Sequence, residues 1–257
     1  MEHEIPLTGG RTTAGIVRIG DTVRRPAKAI SITQELLTHL ESQGFSGAPR
    51  FLGIDNAGRE ILTFVPGTVP SELGNFSDTQ LAAAAVLLRQ FHDATLSFPH
   101  KEQSEVVCHG DASPCNCVFV DGIPRVFIDF DDAHPGSRLD DLGYAAWLWN
   151  DIGNDELSVE MQAHRLLCFF QSYGACVDEA VPALIAAQEA LAKRTNVAGV
   201  REWADNCRNW VEQNRHVLVS IIAARSNKSN NESPRVYRRL HSLRGWSNEN
   251  KQTIRPG

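Results

Sequence analysis

The spacing of hydrophobic residues changes along the chain from short alternating runs to helical stripes. In residues 4–30, β-branched side chains are interrupted by glycines, and Gly20-Asp21 stands between the runs IVRI and TVRR. A Gly-Asp pair between two such runs predicts a tight hairpin turn. Pro26 lacks a backbone donor and is expected to end the second strand. The pattern therefore predicts β structure in this part of the chain.

A helical stripe follows in the segment ELLTHL, whose leucines share one helix face. Ser31 and Gln34 form an S-x-x-Q pattern, which predicts a capping box at the start of this helix. Gly44 is expected to end it, because glycine accepts the left-handed conformation that follows many helices. Two short strands are predicted next, at residues 49–54 and 60–64.

The tripeptide Val65-Pro66-Gly67 interrupts this pattern and predicts a boundary between two lobes. A longer helix is predicted over residues 78–95, with Ser77 as its cap. Asp121-Gly122 joins the runs CVFV and RVFIDF and predicts a second hairpin. From residue 139 to about 224, helical periodicity dominates, most clearly in three apolar-rich stretches.

This order predicts an α+β fold of two lobes, with a small β-rich N-terminal lobe in residues 1–66. A larger, mostly helical C-terminal lobe is expected in residues 67–224. Residues 225–257 lack periodicity and predict a mobile tail. They hold eight Lys or Arg against two Glu, which gives +6 and leaves −12 on the rest of a chain whose net charge is −6. An acidic body disfavours nucleic acid as the main partner and favours a cationic small molecule.

The start of the chain and its cysteines bear on location. MEHEIPLTGG has no apolar core of a signal peptide, and no apolar run approaches the roughly 20 residues that span a bilayer. These features predict a cytoplasmic protein with no membrane partner, whose six cysteines are reduced thiols. Cys115 and Cys117 stand two apart, which leaves a shared zinc ion as an alternative.

The segment CHGDASPCNCVFVDGIPRVFIDFDD contains the candidate chemistry. Asp111 and Asn116 lie on a predicted loop, and Asp129 follows the second strand of a hairpin. Because a hairpin returns beside its starting point, Asp129 is expected close to Asn116. Carboxylate and amide oxygens can hold magnesium against phosphates, and a second carboxylate can orient and deprotonate an attacking hydroxyl.

His109-Gly110-Asp111, followed by Asn116 and by Ile128-Asp129-Phe130, resembles the catalytic and metal-binding motifs of the aminoglycoside phosphotransferase-like kinases. This family has a protein-kinase-like fold. The resemblance implies that ATP and Mg²⁺ are the cofactors, that Asp111 is the catalytic base and that His109 braces the catalytic loop. It also implies that Asn116 and Asp129 bind magnesium. A small-molecule hydroxyl acceptor, aminoglycoside-like or otherwise cationic, and a role in antibiotic resistance would follow.

The nucleotide side matches the family less closely. The resemblance implies a phosphate-binding cation on the strand TVRRPA, where the family has lysine and this chain offers Arg24 or Arg25. Arg24 is favoured, because it stands two residues before Pro26. A turn over the phosphates and a hinge that frames adenine are also implied. The candidates for these are Gly10, Thr12, Thr63 and Val65.

Several acidic positions keep open roles. The helix glutamate that orients the cation in the family has no clear counterpart, since Glu35 is the only acid in the first turns and the matching position is nearer Thr33. The pair Asp131-Asp132 either assists the metal or faces solvent, and the solvent-facing position is favoured. The pair Asp140-Asp141 is predicted mainly to cap the following helix.

The sequence thus predicts an ATP-dependent phosphotransferase that moves the γ-phosphate to a hydroxyl of a small molecule, as a monomer or weak homodimer. One alternative is a catalytically weak or inactive kinase-like module that binds nucleotide. Another is a metal-dependent hydrolase or a sugar-nucleotide transferase. The helical half would form the acceptor pocket. Its candidate lining residues are Trp147, Trp149, Asp151, Trp203 and Trp210, with Glu202 and Asp205 beside them.

Overall fold

The computed structural model of the protein describes residues 3–7, 15–27 and 32–229. Its first five strands form one antiparallel sheet in the order β1-β2-β3-β5-β4. These strands are β1 (Ile5–Pro6), β2 (Val17–Ile19), β3 (Thr22–Pro26), β4 (Phe51–Ile54) and β5 (Arg59–Thr63). Helix α1 (Thr33–Ser42) lies between β3 and β4 in the chain and buries its three leucines.

The turn chemistry of this sheet follows the sequence. Ile19 pairs with Thr22 across Gly20-Asp21, and β3 ends at Pro26, so the first hairpin is confirmed. Gly44 has a φ of 72° and follows the end of α1, as predicted. The predicted cap is different. Ser31 lies outside the described residues, and the side chain of Gln34 donates to Glu60 (2.8 Å) instead of capping the helix.

Two further antiparallel strand pairs lie between residues 106 and 136. β6 (Val106–Cys108) pairs with β9 (His134–Gly136), and β7 (Cys117–Val120) pairs with β8 (Ile123–Phe127), all antiparallel. Asp121 and Gly122 both have positive φ between β7 and β8, which is the conformation of a type I′ turn. The second predicted hairpin is therefore confirmed.

Five further α-helices lie in the described part of the chain. They are α2 (Asp78–Ala94), α3 (Arg138–Asn150), α4 (Val159–Tyr173), α5 (Ala180–Arg194) and α6 (Ala198–Ser229). Ser77 caps α2 through the full capping box, as predicted. Because α6 continues to Ser229, the first five residues of the predicted tail are helical, and residues 230–257 lie outside the described residues. No helix in the described part of the chain has the length and apolarity to cross a bilayer.

An aromatic core lies directly beneath the loop that follows β6. Phe91, Phe127, Phe130 and Trp149 are at most 1% exposed. The indole nitrogen of Trp149 donates to the carbonyl of Ala112 in that loop (2.8 Å). The core therefore supports the loop with both packing and a hydrogen bond, and these contacts fix the position of the residues that follow β6.

Candidate active site

The loop after β6 is anchored by the carboxylate of Asp141. The backbone N–H groups of His109 and Gly110 donate to this carboxylate at 2.8 and 3.1 Å, and His92 Nε2 lies 2.9 Å from it. The side chain of Asp141 is 1% exposed. The predicted capping role belongs instead to Ser137, whose hydroxyl accepts from the N–H of Asp140 (3.1 Å). Asp141 is thus an anchor of the loop and not a helix cap.

Burial by itself raises the pKa of Asp141. The hydrogen bond and charge of His92, with the contacts from His109, more than offset this effect and leave the pKa below its ordinary value. The carboxylate is therefore ionised at neutral pH. An ionised acceptor makes stronger hydrogen bonds to backbone N–H groups than a neutral one, so the loop is held firmly.

Gly110 permits a close contact between the loop and the segment after β8. Its φ is 80°, a conformation that side-chain-bearing residues rarely adopt, and a Cβ at this position would collide with the backbone carbonyl of Asp132. The glycine of the HGD motif is thus required by the approach of two backbone segments, and it brings the two halves of the candidate site together.

His109 belongs to this loop, and its imidazole ring lies beneath the loop and is completely buried. Burial lowers the pKa of His109, and the nearby charges of Asp141 and Asp111 oppose the shift only in part. The neutral ring accepts a hydrogen bond at Nδ1 from the N–H of Asp111 (3.3 Å) and packs 4.5 Å from the ring of Phe130. This position is suited to bracing the loop.

Both carboxylate oxygens of Asp111 accept hydrogen bonds. Asn116 Nδ2 donates to Oδ2 (2.7 Å) and to the Asp111 carbonyl (3.1 Å), and the hydroxyl of Tyr144 donates to Oδ1 (3.2 Å). Burial and the charge of Asp111 raise the pKa of Tyr144, so this hydroxyl stays a donor. Sequence reasoning missed Tyr144. The available signal was its position three residues after Asp141, on the same face of α3.

The hairpin brings Asp129 beside Asn116. The N–H of Ile128 donates to the carbonyl of Asn116 (2.9 Å), and Asp129 is the next residue. Asp129 adopts a left-handed backbone conformation (φ 62°, ψ 65°), which is uncommon for a residue with a side chain. Since Asn116 points its Nδ2 at Asp111, its Oδ1 is the hard oxygen left on this side chain. These oxygens fit Mg²⁺, which takes one or two protein ligands and completes its shell with phosphates and water.

Of the two candidate arginines on β3, Arg25 is the one that contacts the acidic residues after β8. This corrects the expectation that Arg24 is the cation that faces the site. Arg25 Nε donates to Glu60 (2.8 Å), Nη2 pairs with Asp131, and Nη1 lies 3.6 Å from Asp129 Oδ1. Arg24 lies on the opposite face of β3, as strand alternation requires. There its Nε is 3.7 Å from Asp55 and its Nη1 donates to the hydroxyl of Thr22 (2.6 Å).

The structure changes the expectation for Asp131 and shows where Glu35 lies. Asp131 is not solvent-facing, because its side chain is 11% exposed and pairs with Arg25. Glu35 does not orient the cation, because it is exposed and pairs with His100 (2.7 Å). Within the N-terminal sheet, the carboxylate that contacts Arg25 is that of Glu60 on β5. Thr33, the position nearest to the expected glutamate, donates instead to the carbonyl of Phe130 (3.1 Å).

The remaining nucleotide-side candidates have different surroundings. The N–H of Thr63 donates to the carbonyl of Arg50 (3.0 Å), and the hydroxyl of Thr63 accepts from the Arg50 N–H (2.9 Å). Both groups of Thr63 are therefore used in hydrogen bonds within the N-terminal lobe. Val65 makes no backbone hydrogen bond within residues 3–7, 15–27 and 32–229, so its N–H and carbonyl remain available. Gly10 and Thr12 lie outside the described residues.

The aromatic candidates for the acceptor pocket separate by burial. Trp147 and Trp149 are core residues, whereas Trp203 is 38% exposed and stacks on Trp147 with ring centroids 4.4 Å apart. Arg194 lies over the ring of Tyr144 (5.4 Å), and its Nη2 is 3.5 Å from the carbonyl of Gly110. Arg194 therefore places a positive charge beside the loop of Asp111, and Trp203 leaves an aromatic ring exposed where it packs on Trp147.

The paired-cysteine zinc site gains no support from the structure. Cys117 lies in β7 and is completely buried. Burial raises its pKa to about 12, so the thiol is protonated at neutral pH and is a poor metal ligand. All six cysteines are free thiols.

Comparison with known proteins gives a family and a fold. Residues 78–176 match the model of the phosphotransferase enzyme family, and this range contains Asp111, Asn116 and Asp129. The trifolitoxin immunity protein of Rhizobium leguminosarum bv. trifolii is 33% identical over 197 residues, which cover 68% of this chain and 75% of that protein.

Solved structures with the same fold are more distant in sequence. The streptomycin–ATP complex of the aminoglycoside phosphotransferase APH(2")-IIa is 14% identical, with a TM-score of 0.51 over 74% of this chain and 83% of that chain. APH(3'')-Id from Streptomyces rimosus, solved with ADP and streptomycin, is 14% identical, with a TM-score of 0.50 over 80% and 92%. An ethanolamine kinase of Plasmodium vivax is 12% identical, with a TM-score of 0.50 over 80% of each chain. The predicted two-lobed, kinase-like α+β fold is thus confirmed.

Proposed function

The chain belongs to the phosphotransferase enzyme family, and we propose that it transfers the γ-phosphate of ATP to a hydroxyl group of a small molecule. The observation that carries this proposal is the arrangement around Asp111. Its carboxylate is aligned by donors on both oxygens, from Asn116 and Tyr144, and the loop that bears it is fixed by Asp141.

Asp111 would act as the base. Each carboxylate oxygen accepts one hydrogen bond from the protein and has a further lone pair, so it can also accept the hydroxyl proton of the acceptor. The two donors restrict rotation of the carboxylate. A hydroxyl bound to it would be held in one orientation, which is the main contribution a protein makes to phosphoryl transfer.

Asn116 and Asp129 would hold Mg²⁺, whose chemistry is to neutralise and align the phosphates. On the nucleotide side, Arg25 would steady the phosphates in place of the family lysine, since a guanidinium is always charged and is a strong donor to phosphate oxygens. The backbone N–H and carbonyl of Val65 would form hydrogen bonds with the adenine ring of ATP. Gly10 and Thr12 remain predictions for the turn over the phosphates.

We propose a toxin-like compound with a free hydroxyl as the acceptor. The relative that is 33% identical over 197 residues is an immunity protein against trifolitoxin. Phosphorylation of a toxin is a direct route to immunity, because the added charge changes how the toxin is recognised. The distant structural relatives include complexes with streptomycin. Arg194 beside Asp111 disfavours a cationic group next to the reacting hydroxyl itself.

The test is a panel of acceptors incubated with the full chain, ATP and Mg²⁺. Trifolitoxin, streptomycin, kanamycin and ethanolamine would be scored by ADP release and by a mass gain of one phosphoryl group. At least one is expected to be phosphorylated. Asp111→Asn should abolish product formation, while Asp121→Asn, a change in an exposed hairpin turn, should not.

The outcomes separate the candidate functions. Equal turnover by wild type and Asp111→Asn would show that Asp111 is not the base. Tight binding of ATP–Mg²⁺ without product from any acceptor would favour the alternative of an inactive nucleotide-binding module. The observation that motivates this alternative is the arginine, Arg25, at the place of the family lysine. Preferential binding of a sugar nucleotide would refute the kinase proposal.

A further inference from the structure

Three carboxylates surround Arg25, and they come from two separate parts of the chain. Glu60 lies directly opposite it in the β3–β5 ladder, and Asp131 and Asp129 follow β8. Burial by itself lowers the pKa of Arg25, but the hydrogen bond and charge of Asp131, with Glu60 and Asp129, raise it overall. The guanidinium is therefore fixed in position and permanently charged.

The contacts differ among the three nitrogens of the guanidinium. Nε donates to Glu60 at 2.8 Å and Nη2 is bound to Asp131, whereas Nη1 lies 3.6 Å from Asp129, beyond hydrogen-bond distance. Two nitrogens are thus used to orient the group. The third faces the carboxylate next to which the phosphates would lie.

Helix α1 contacts this arrangement through an amide and not through an acid. Gln34 Nε2 donates to Glu60 Oε1 (2.8 Å), so both oxygens of Glu60 are hydrogen-bonded, one to Arg25 and one to α1. Glu60 is 1% exposed. Glu35, the neighbouring acid on the helix, points away toward His100.

We infer that Glu60, supported by Gln34, is the positioning residue that orients Arg25 toward the nucleotide phosphates, a role that the family resemblance implies for a helix glutamate with no clear counterpart in this chain. The inference rests on the proposed function, because it takes a nucleotide as the ligand. A strand residue can perform this role here because register pairing places it opposite the cation. The helix then needs only a neutral donor to hold the carboxylate.

The experiment measures the ATP affinity of the full chain in magnesium-free buffer with EDTA. Without Mg²⁺ bound to the phosphates, the contribution of Arg25 to ATP affinity is measured directly. Glu60→Gln should weaken ATP binding about tenfold, because it removes a charge-assisted contact that orients Arg25. Glu35→Gln, the matched control on α1, should bind as wild type does. Gln34→Ala, at a half-buried site, should weaken binding about threefold.

A double-variant comparison excludes a purely structural effect. Arg25→Ala should weaken ATP binding in wild type but add little in the Glu60→Gln background, since an unoriented Arg25 no longer contributes. If Glu60→Gln does not fold, Gln34→Ala against Glu35→Gln decides the question. Wild-type affinity in both Glu60→Gln and Gln34→Ala would overturn the inference and leave the proposed function intact. Failure of wild type to bind ATP with or without magnesium would overturn both.

Discussion

The loop that carries Asp111 and the strand that carries Arg25 are held by different kinds of contact. The loop is fixed through its backbone, because two consecutive N–H groups donate to Asp141 and Gly110 packs on a neighbouring carbonyl. Arg25 is fixed through its side chain, by carboxylates that lie 35 and 106 residues away.

This difference explains why one half of the site is recognisable as a motif and the other is not. Backbone anchoring requires glycine and fixed spacing, and both leave a signature in the sequence. Side-chain anchoring requires only that opposite charges meet, which different pairs of positions can satisfy. Substitutions at single anchors test whether the two regions depend on their anchors in these different ways.

The largest effect is expected for Asp141→Asn. An amide can accept only part of the hydrogen bonds that Asp141 makes and leaves a buried N–H unpaired. We expect the free energy of unfolding to fall by about 3 kcal/mol and turnover to fall about 100-fold. Urea denaturation and steady-state kinetics measure this. Asp140→Asn, the exposed neighbour, is the control, and equal effects of the two changes would contradict the anchoring role.

A smaller effect is expected on the strand. Arg25→Lys should lower the free energy of unfolding by about 2 kcal/mol, because one ammonium group cannot satisfy Glu60 and Asp131 with the geometry of a guanidinium. Arg24→Lys, on the opposite face, should change it by less than about 0.5 kcal/mol. Paired urea denaturation of the two variants checks this. A larger loss for Arg24→Lys than for Arg25→Lys would contradict the anchoring of Arg25 by its carboxylates.

Tyr144→Phe should mainly slow the reaction. It removes one donor from Asp111 without emptying the site, so we expect kcat to fall about tenfold, or about 1.4 kcal/mol, with the KM for ATP unchanged within about twofold. Initial-rate kinetics on an acceptor from the panel separate the two constants. An unchanged kcat would mean that Asn116 alone orients the carboxylate.

The smallest effect is a pH dependence of stability. Burial lowers the pKa of His109 in the folded protein, so the unfolded chain takes up a proton near pH 6.5 while the folded chain does not. Stability is therefore full above pH 6.5 and should fall by about 1 kcal/mol by pH 5.5. Urea midpoints across this range measure it. His109→Gln should reduce the slope, and His216→Gln, at an exposed position, should leave it unchanged.

The sequence alone determined the elements whose signals are local. Gly20-Asp21 and Asp121-Gly122 specify their hairpins because tight turns require particular backbone angles, and Ser77 specifies the start of α2 because a cap acts within one turn. The D-x₄-N spacing and the following hairpin also bring Asn116 and Asp129 together without distant contacts.

Only the tertiary structure decided which charged groups meet. Strand alternation allowed either Arg24 or Arg25 to face the site, and the register with β5 and the segment after β8 selected Arg25. The same long-range packing places Glu60, and not an acid of α1, against Arg25. It also places the carboxylate of Asp141 against the backbone of the loop after β6, so Asp141 anchors that loop and does not cap α3. Such pairings depend on which faces are buried together, and a linear pattern carries no record of distances between segments that are far apart in the chain.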